Sequence, residues 1–256
     1  MPAPKNRPSG PEPAPAVQHL LVRYAKRGRM RFASIRDVQR AFERAVRQAG
    51  LPIAHSAGFS PHPKISYASG TQTGVASEAE YLTLALTAPV DAAGMRPVLD
   101  RALPDGIDVI EVVEDSGGTL NGRLTVSEWL VELTGVAPDV AEAAAGAFLA
   151  AAEVPVERLT SKGVRRFDAR AAVLTLEVSP RAGAIDHHEC ATIRLVVRHT
   201  EPAVRPEDVL NGLLPGGAAA VKPAAAVTRV AQGVLGPEVG ASAVVVAPAP
   251  AKVNVP

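Results

Sequence analysis

The stretch AHSAGFSPHPKIS, residues 54–66, brings two imidazoles, three hydroxyls and an ammonium group into one short segment. Histidine titrates near neutrality, so His55 and His62 suit proton transfer, and Ser56 or Ser60 beside either suits a nucleophile. A serine–histidine nucleophile also needs a carboxylate to orient the base, and the loop holds no Asp or Glu. Structural zinc takes four ligands at short spacings, and two histidines seven residues apart match none of them. The chemistry that uses what is present is RNA cleavage, with His55 or His62 as general acid or base and Lys64 neutralising the phosphorane. Pro61 and Pro63 fix φ on both sides of His62, and Gly58 permits a tight bend. His55, Ser56, Gly58, Phe59, Ser60, Pro61, His62 and Pro63 therefore read first as a preset loop that positions a substrate, with catalysis as the alternative.

A second chemistry lies just upstream. Arg36, Arg40, Arg44 and Arg47 fall at helical spacing along one face, and such a row suits phosphates. Lys162, Arg165, Arg166 and Arg170 cluster around Asp168 and form a second expected phosphate-facing patch. With aromatics at 4% of residues, backbone or shape recognition is expected rather than a base-stacking platform, and no DNA sequence readout. The run His187, His188, Glu189, Cys190 alternates faces if it is a strand, so no metal site is expected there.

These groups need a scaffold. The helix SIRDVQRAFERAVRQAG spaces Ile35, Val38, Phe42, Ala45, Val46 and Ala49 along an apolar stripe, with Ser34 as N-cap and Gly50 just past the end. A strand or hairpin precedes it, KISYAS and the alternating EYLTLALTAPV follow as strands, and a short helix and the strand GIDVIEVVE close the unit. The order β-α-β-β-α-β recurs from Arg123 onward, where FDARAAVLTLEVSP reads as a single strand. The expected fold is α+β, two tandem ferredoxin-like units over 17–115 and 123–235. Proline crowds the first fifteen residues and Pro, Ala and Val fill the end, so 1–16 and 236–256 read as disordered tails.

Composition bounds the function class. In 256 residues, 47% hydrophobic content supplies two cores, and one cysteine excludes a disulfide framework or a cysteine-held cluster in this chain. No signal or membrane-spanning run is evident, so a cytoplasmic protein without membrane contact is expected. The net charge of +1 conceals segregation: +9 over residues 1–70, −11 over 71–160 and +3 over the remainder. Either a polyanion meets the basic part, or the acidic segment 71–160 does.

The run from GRMRFASIRDVQRAFERAVRQAGLPIAHSAGFSPHPKISYASG to EYLTLALTAPVD, with KGVRRFDARAAV and RPEDVL later, resembles the radical-SAM-linked protein family, found beside or fused to radical S-adenosylmethionine proteins. The resemblance implies a separate radical SAM enzyme as partner. The iron–sulfur cluster and S-adenosylmethionine then belong to that partner, since one cysteine cannot hold such a cluster and no cofactor is expected in this chain. The combined expectation is an accessory protein, without catalysis of its own, that binds tRNA or ribosomal RNA and presents it to a modifying enzyme. The alternatives are a nuclease built on His55, His62 and Lys64, and a protein–protein adaptor.

Overall fold

A computed structural model describes residues 13–115, 119–180, 190–214, 225–237 and 245–248. The expected N-terminal tail lies almost wholly outside the described residues, as does most of the C-terminal one. The chain divides into two compact units, one built on residues to Gly74 and Glu80–Asn121, the other on Val75–Ala79 and Gly122–Pro248. The architecture is α+β, with four α-helices among the described residues.

The first unit runs β1 (Gln18–Lys26), α1 (Ile35–Gln48), β2 (Ile65–Tyr67), β3 (Ala76–Leu86, from Glu80 onward), α2 (Ala92–Ala102) and β4 (Ile107–Asp115). Its strands lie in the order β4, β1, β3, β2, and the outer pairs β4/β1 and β3/β2 are antiparallel. Period-two alternation sends Leu20, Val22 and Tyr24 of β1 and Leu82, Leu84 and Leu86 of β3 into one core. Val38, Phe42, Ala45 and Val46 of α1 close over it, and Tyr24 meets Phe42 edge-on with ring centroids 4.7 Å apart. The alternation of EYLTLALTAPV predicts a half-buried strand, yet every residue from Ala79 to Leu86 is buried.

Helix α1 begins and ends where its sequence dictates. Ser34 Oγ accepts from the Asp37 amide at 3.2 Å and Asp37 Oδ2 accepts from the Ser34 amide at 3.2 Å, a reciprocal capping box. At the other end Gly50 takes φ +65°, Gly50 N–H donates to Arg47 O and Leu51 N–H to Val46 O, which satisfies the last carbonyls.

The second unit runs β5 (Val126–Thr134), α3 (Pro138–Ala150), β6 (Pro155–Thr160), β7 (Gly163–Asp168), β8 (Val173–Pro180), β9 (Cys190–Arg198), α4 (Pro206–Leu213), β10 (Ala225–Leu235) and β11 (Val245–Val246). Its main strands are ordered β10, β5, β9, β8 with every neighbouring pair antiparallel, and β10 also pairs with β11 and, in parallel, with Ala76 and Ser77. The core gathers Val131 and Leu133, Ile193, Leu195 and Val197, and Phe148 of α3 with Leu210 and Leu213 of α4.

One departure from the sequence reading concerns 155–180. Strands β6 and β7 form a separate two-stranded sheet, and the run read as one strand is broken after Asp168. Asp168 causes the break: its carboxylate accepts from the amides of Val154, Arg170 and Ala171 at 2.8–3.1 Å, turning the chain into a 3₁₀ turn at Arg170–Ala172.

Candidate functional site

The capped helix α1 presents its polar face as a cationic row. Arg36, Arg40, Arg44 and Arg47 are all exposed, opposite the buried Val38, Ala41, Phe42, Ala45 and Val46. Arg47 Nε donates to Glu43 O at 3.4 Å, while Arg36, Arg40 and Arg44 make no ion pair or hydrogen bond among the described residues. A guanidinium row held in no ion pair is equipped to contact phosphate oxygens.

The 54–66 segment is a narrow tongue closed on its own backbone. Lys64 N–H donates to Ala54 O at 2.7 Å, Ser56 N–H to His62 O at 2.9 Å, and His62 N–H to Ser56 Oγ at 3.0 Å. His55 bridges Pro63, so His55 and His62 stand on the two legs of the tongue and both are exposed. Gly58, at φ +137°, turns the tip and leaves Phe59 93% exposed beside Ser60 and Pro61. Ser56 Oγ is thus a backbone acceptor, and the side chains of His55, Ser60, His62 and Lys64 have no partner among the described residues. The tongue presents groups outward without a base–nucleophile pair.

The second cluster separates into working and idle cations. Arg170 is spent on the structure: Nε donates to Leu149 O and Nη1 to Val173 O, both at 3.2 Å. Arg166 pairs with Glu157 at 2.6 Å across β6 and β7, a solvated pair of little energetic weight. The side chains of Lys162 and Arg165 are exposed and make no hydrogen bond or ion pair among the described residues. Asp168 itself is governed by two opposing influences: burial pushes its carboxyl up, but three backbone N–H donors prevail and hold it below the ordinary value. Of the run His187–Cys190, the first three residues lie outside the described residues, and Cys190 opens β9 half-buried.

Three groups outside the sites expected from sequence are structurally prominent. Arg158 donates to Asp208 at 2.8 Å and to Ala203 O at 3.1 Å, and stacks 4.9 Å from the Phe167 ring centroid. Burial raises the Asp208 carboxyl, and that outweighs the Arg205 amide and the Arg158 charge that pull it down. Ser127 Oγ lies 2.7 Å from His199 Nε2, and His199 Nδ1 lies 2.6 Å from Leu124 O. A carbonyl only accepts, so Nδ1 carries the proton and Nε2 takes the Ser127 hydroxyl hydrogen. Desolvation lowers the imidazole pKa, against the Leu124 carbonyl and with help from Arg229.

The third group lines a cleft in the first unit. Lys26, Thr71 and Glu80, each at most 4% exposed, share it with Tyr24, Ile35 and Tyr67. Lys26 Nζ donates to Thr71 O at 3.4 Å and Gln72 O at 3.3 Å, and Thr71 N–H donates to Glu80 Oε1 at 3.4 Å. Desolvation pushes the Tyr67 hydroxyl far above its ordinary pKa, with Glu43 adding to it. The signal was available: Lys26 follows Val22 and Tyr24, and Glu80 precedes Leu82 and Leu84, both in phase with the core face. Among the described residues, no three His, Cys, Asp or Glu side chains are grouped to hold a metal ion, and no helix is long and apolar enough to cross a membrane.

Comparison with known proteins gives a family and no activity. No curated protein matches the chain. A solved structure titled as an unknown protein from Galdieria sulphuraria is 15% identical, covering 72% of this chain and 84% of that one, with a TM-score of 0.22 that carries no argument. The family model described as an uncharacterized protein conserved in bacteria (DUF2344) matches residues 19–206. With nearly three quarters of its length in that match, the chain belongs to the DUF2344 family.

Proposed function

We propose that the protein is an RNA-binding accessory factor that holds tRNA or ribosomal RNA on the arginine face of α1 and presents it to a separate modifying enzyme. The observation that carries this reading is the row Arg36, Arg40 and Arg44: exposed, in register, and without an ion pair or side-chain hydrogen bond among the described residues. Lys64, Lys162 and Arg165 extend the phosphate-binding set, while His62 and Ser60 on the tongue position the RNA. The likeness of GFSPHPKISYA to radical-SAM-linked proteins supports a radical SAM enzyme as the partner, which would bring the cluster and S-adenosylmethionine. Each unit is read as ferredoxin-like, supported by the same β-α-β-β-α-β order and the same spatial order of first to fourth main strands, 4-1-3-2, with β6 and β7 inserted in the second.

The test is a titration of total tRNA and ribosomal RNA across a salt series with wild type and an Arg36→Glu/Arg40→Glu/Arg44→Glu variant. Each lost phosphate contact flattens the log–log salt slope by about 0.7–0.9, so three contacts flatten it by about 2–3. An unchanged slope overturns the reading and assigns the basic face to an acidic protein partner. Turnover of RNA that vanishes in His62→Ala would overturn the accessory role in favour of a nuclease.

A further inference from the structure

The tongue holds one large apolar side chain out in water. Phe59 is 93% exposed, and Gly58, at φ +137°, is the bend that puts it at the tip. Its placement is built rather than loose. Ala54 N–H donates to Ala85 O at 2.8 Å and Ala85 N–H to Lys64 O at 3.1 Å, so both legs are fastened to β3. The legs are also tied to each other through the amides of Lys64, Ser56 and His62, which leaves only residues 57–61 to form the tip. A preset tip loses less conformational entropy on binding than a free loop does. Its sequence neighbourhood carries one sign of charge. No Asp or Glu occurs between Glu43 and Glu78, whereas Arg44, Arg47 and Lys64 lie in that stretch and are exposed. The five residues between α1 and the tongue span at most about 18 Å, so the tongue rises close to the end of α1 that carries Arg44 and Arg47.

We infer that Phe59 is the stacking residue for one unpaired base of the bound RNA. The inference rests on the RNA-binding reading and names what the RNA must offer at the tongue. So exposed a ring has both faces open to a planar partner, and a nucleobase presents such a face. Bases inside a duplex already have both faces covered by their neighbours, so the partner is a base in a loop, a bulge or an end. Every base has a π face, so Phe59 fixes position along the strand and not sequence. A single ring is a wedge for one base rather than a platform for a strand, which agrees with the scarcity of aromatics. The phosphates on either side of the stacked base meet Lys64 and the arginines of α1, and a carboxylate-free stretch admits them without repulsion. An apolar pocket in a protein partner would accept the same ring, yet it calls for no row of cations beside it.

The experiment uses the full chain with an eight-nucleotide uridine RNA and an abasic ribose-phosphate oligomer of equal length, which carries the same phosphates without bases. Wild type is expected to bind the uridine RNA about tenfold more tightly than the abasic oligomer, within the range of one base–aromatic stack. Phe59→Ala should bind both alike, with the salt slope unchanged. The ring packs against almost nothing in the free chain, so the variants should fold as wild type does. Phe59→Leu keeps apolar bulk without a π face and should behave as Phe59→Ala; wild-type affinity in it overturns stacking. Phe59→Trp should keep the preference, and the indole it adds to the single native Trp129 should be quenched by the uridine RNA and not by the abasic oligomer. A preference for the uridine RNA that survives in Phe59→Ala places the stacking elsewhere and overturns the assignment. Equal binding of both oligomers by wild type, with a steep salt slope, overturns it too and leaves the RNA-binding reading standing. If neither oligomer binds with a salt slope, both fall, and the exposed ring is left for an apolar pocket of a protein partner.

Discussion

A single titratable side chain can report on a whole unit when its surroundings differ between the folded and unfolded states. His199, whose pKa is lowered by desolvation, binds fewer protons in the folded chain than in the unfolded one near its ordinary value of 6.5. Stability therefore falls as pH drops through that value, and the loss continues until the folded pKa is passed. Urea unfolding at pH 5.5 and pH 8 should give a lower midpoint at pH 5.5, and His199→Gln should narrow the difference; an unchanged difference would remove His199 from the account. Asp208 behaves oppositely. Its raised carboxyl binds protons more tightly in the folded state, so its contribution declines as pH climbs above the ordinary carboxylate value. Removing Arg158 would leave that buried carboxylate uncompensated, and Arg158→Met should destabilise the second unit by about 3 kcal/mol, measured by denaturant unfolding. Neither residue was legible beforehand, because the partners of Asp208 and His199 lie 50 and 72 residues away in the chain.

Elements announce themselves when their signals are local. Helix α1 carries its cap, its stripe and its terminal glycine within seventeen residues; the structure places the cap and the glycine as the sequence implies and buries Val38, Phe42, Ala45 and Val46 of the stripe, but leaves Ile35, at its first turn, 55% exposed and Ala49 half-buried. Ser34→Ala should cost about 1 kcal/mol, the usual weight of an N-cap, read as a drop in the unfolding midpoint. A basic hairpin over SKGVRRFDARAAV is one sequence reading of this stretch, but strand β6 escaped because the β6–β7 turn lacks the usual Asn-Gly or Asp-Gly pair. Thr160 Oγ1 instead accepts from Lys162 N–H at 3.2 Å and donates to Gly163 O at 2.8 Å, while Gly163 takes φ +108°. A side chain there is strained, so Gly163→Ala should destabilise the hairpin by about 1 kcal/mol and raise amide exchange in β6 and β7 first. The tongue was read as rigid from Pro61 and Pro63. Its closure by Ser56 and His62 was beyond reach, since a hydroxyl that accepts a backbone N–H looks in sequence like a candidate nucleophile.

At the scale of the whole molecule, the charge segregation is partly resolved inside the first unit. Strand β4, from the acidic segment, pairs with basic β1, setting Glu111 opposite Arg23 and placing Asp108 2.9 Å from Arg27. Period and composition revealed the opposite charges. Strand pairing decides which of them meet, and Arg36, Arg40 and Arg44 of α1 make no ion pair among the described residues. The two cores are equally specific. Phe42 is fully buried against Tyr24 and Tyr67 in the first, and Phe148 fills the second beneath α3 and α4. Truncating a buried phenylalanine costs about 3–5 kcal/mol through lost contacts and a cavity. Phe42→Ala should therefore accelerate amide exchange in β1, β4 and α1 while β5 and β9 keep their protection, and Phe148→Ala should do the reverse. Equal acceleration in both sets would mean that the cores unfold as one cooperative unit, because a locally lost contact raises exchange only in the segments that open with it.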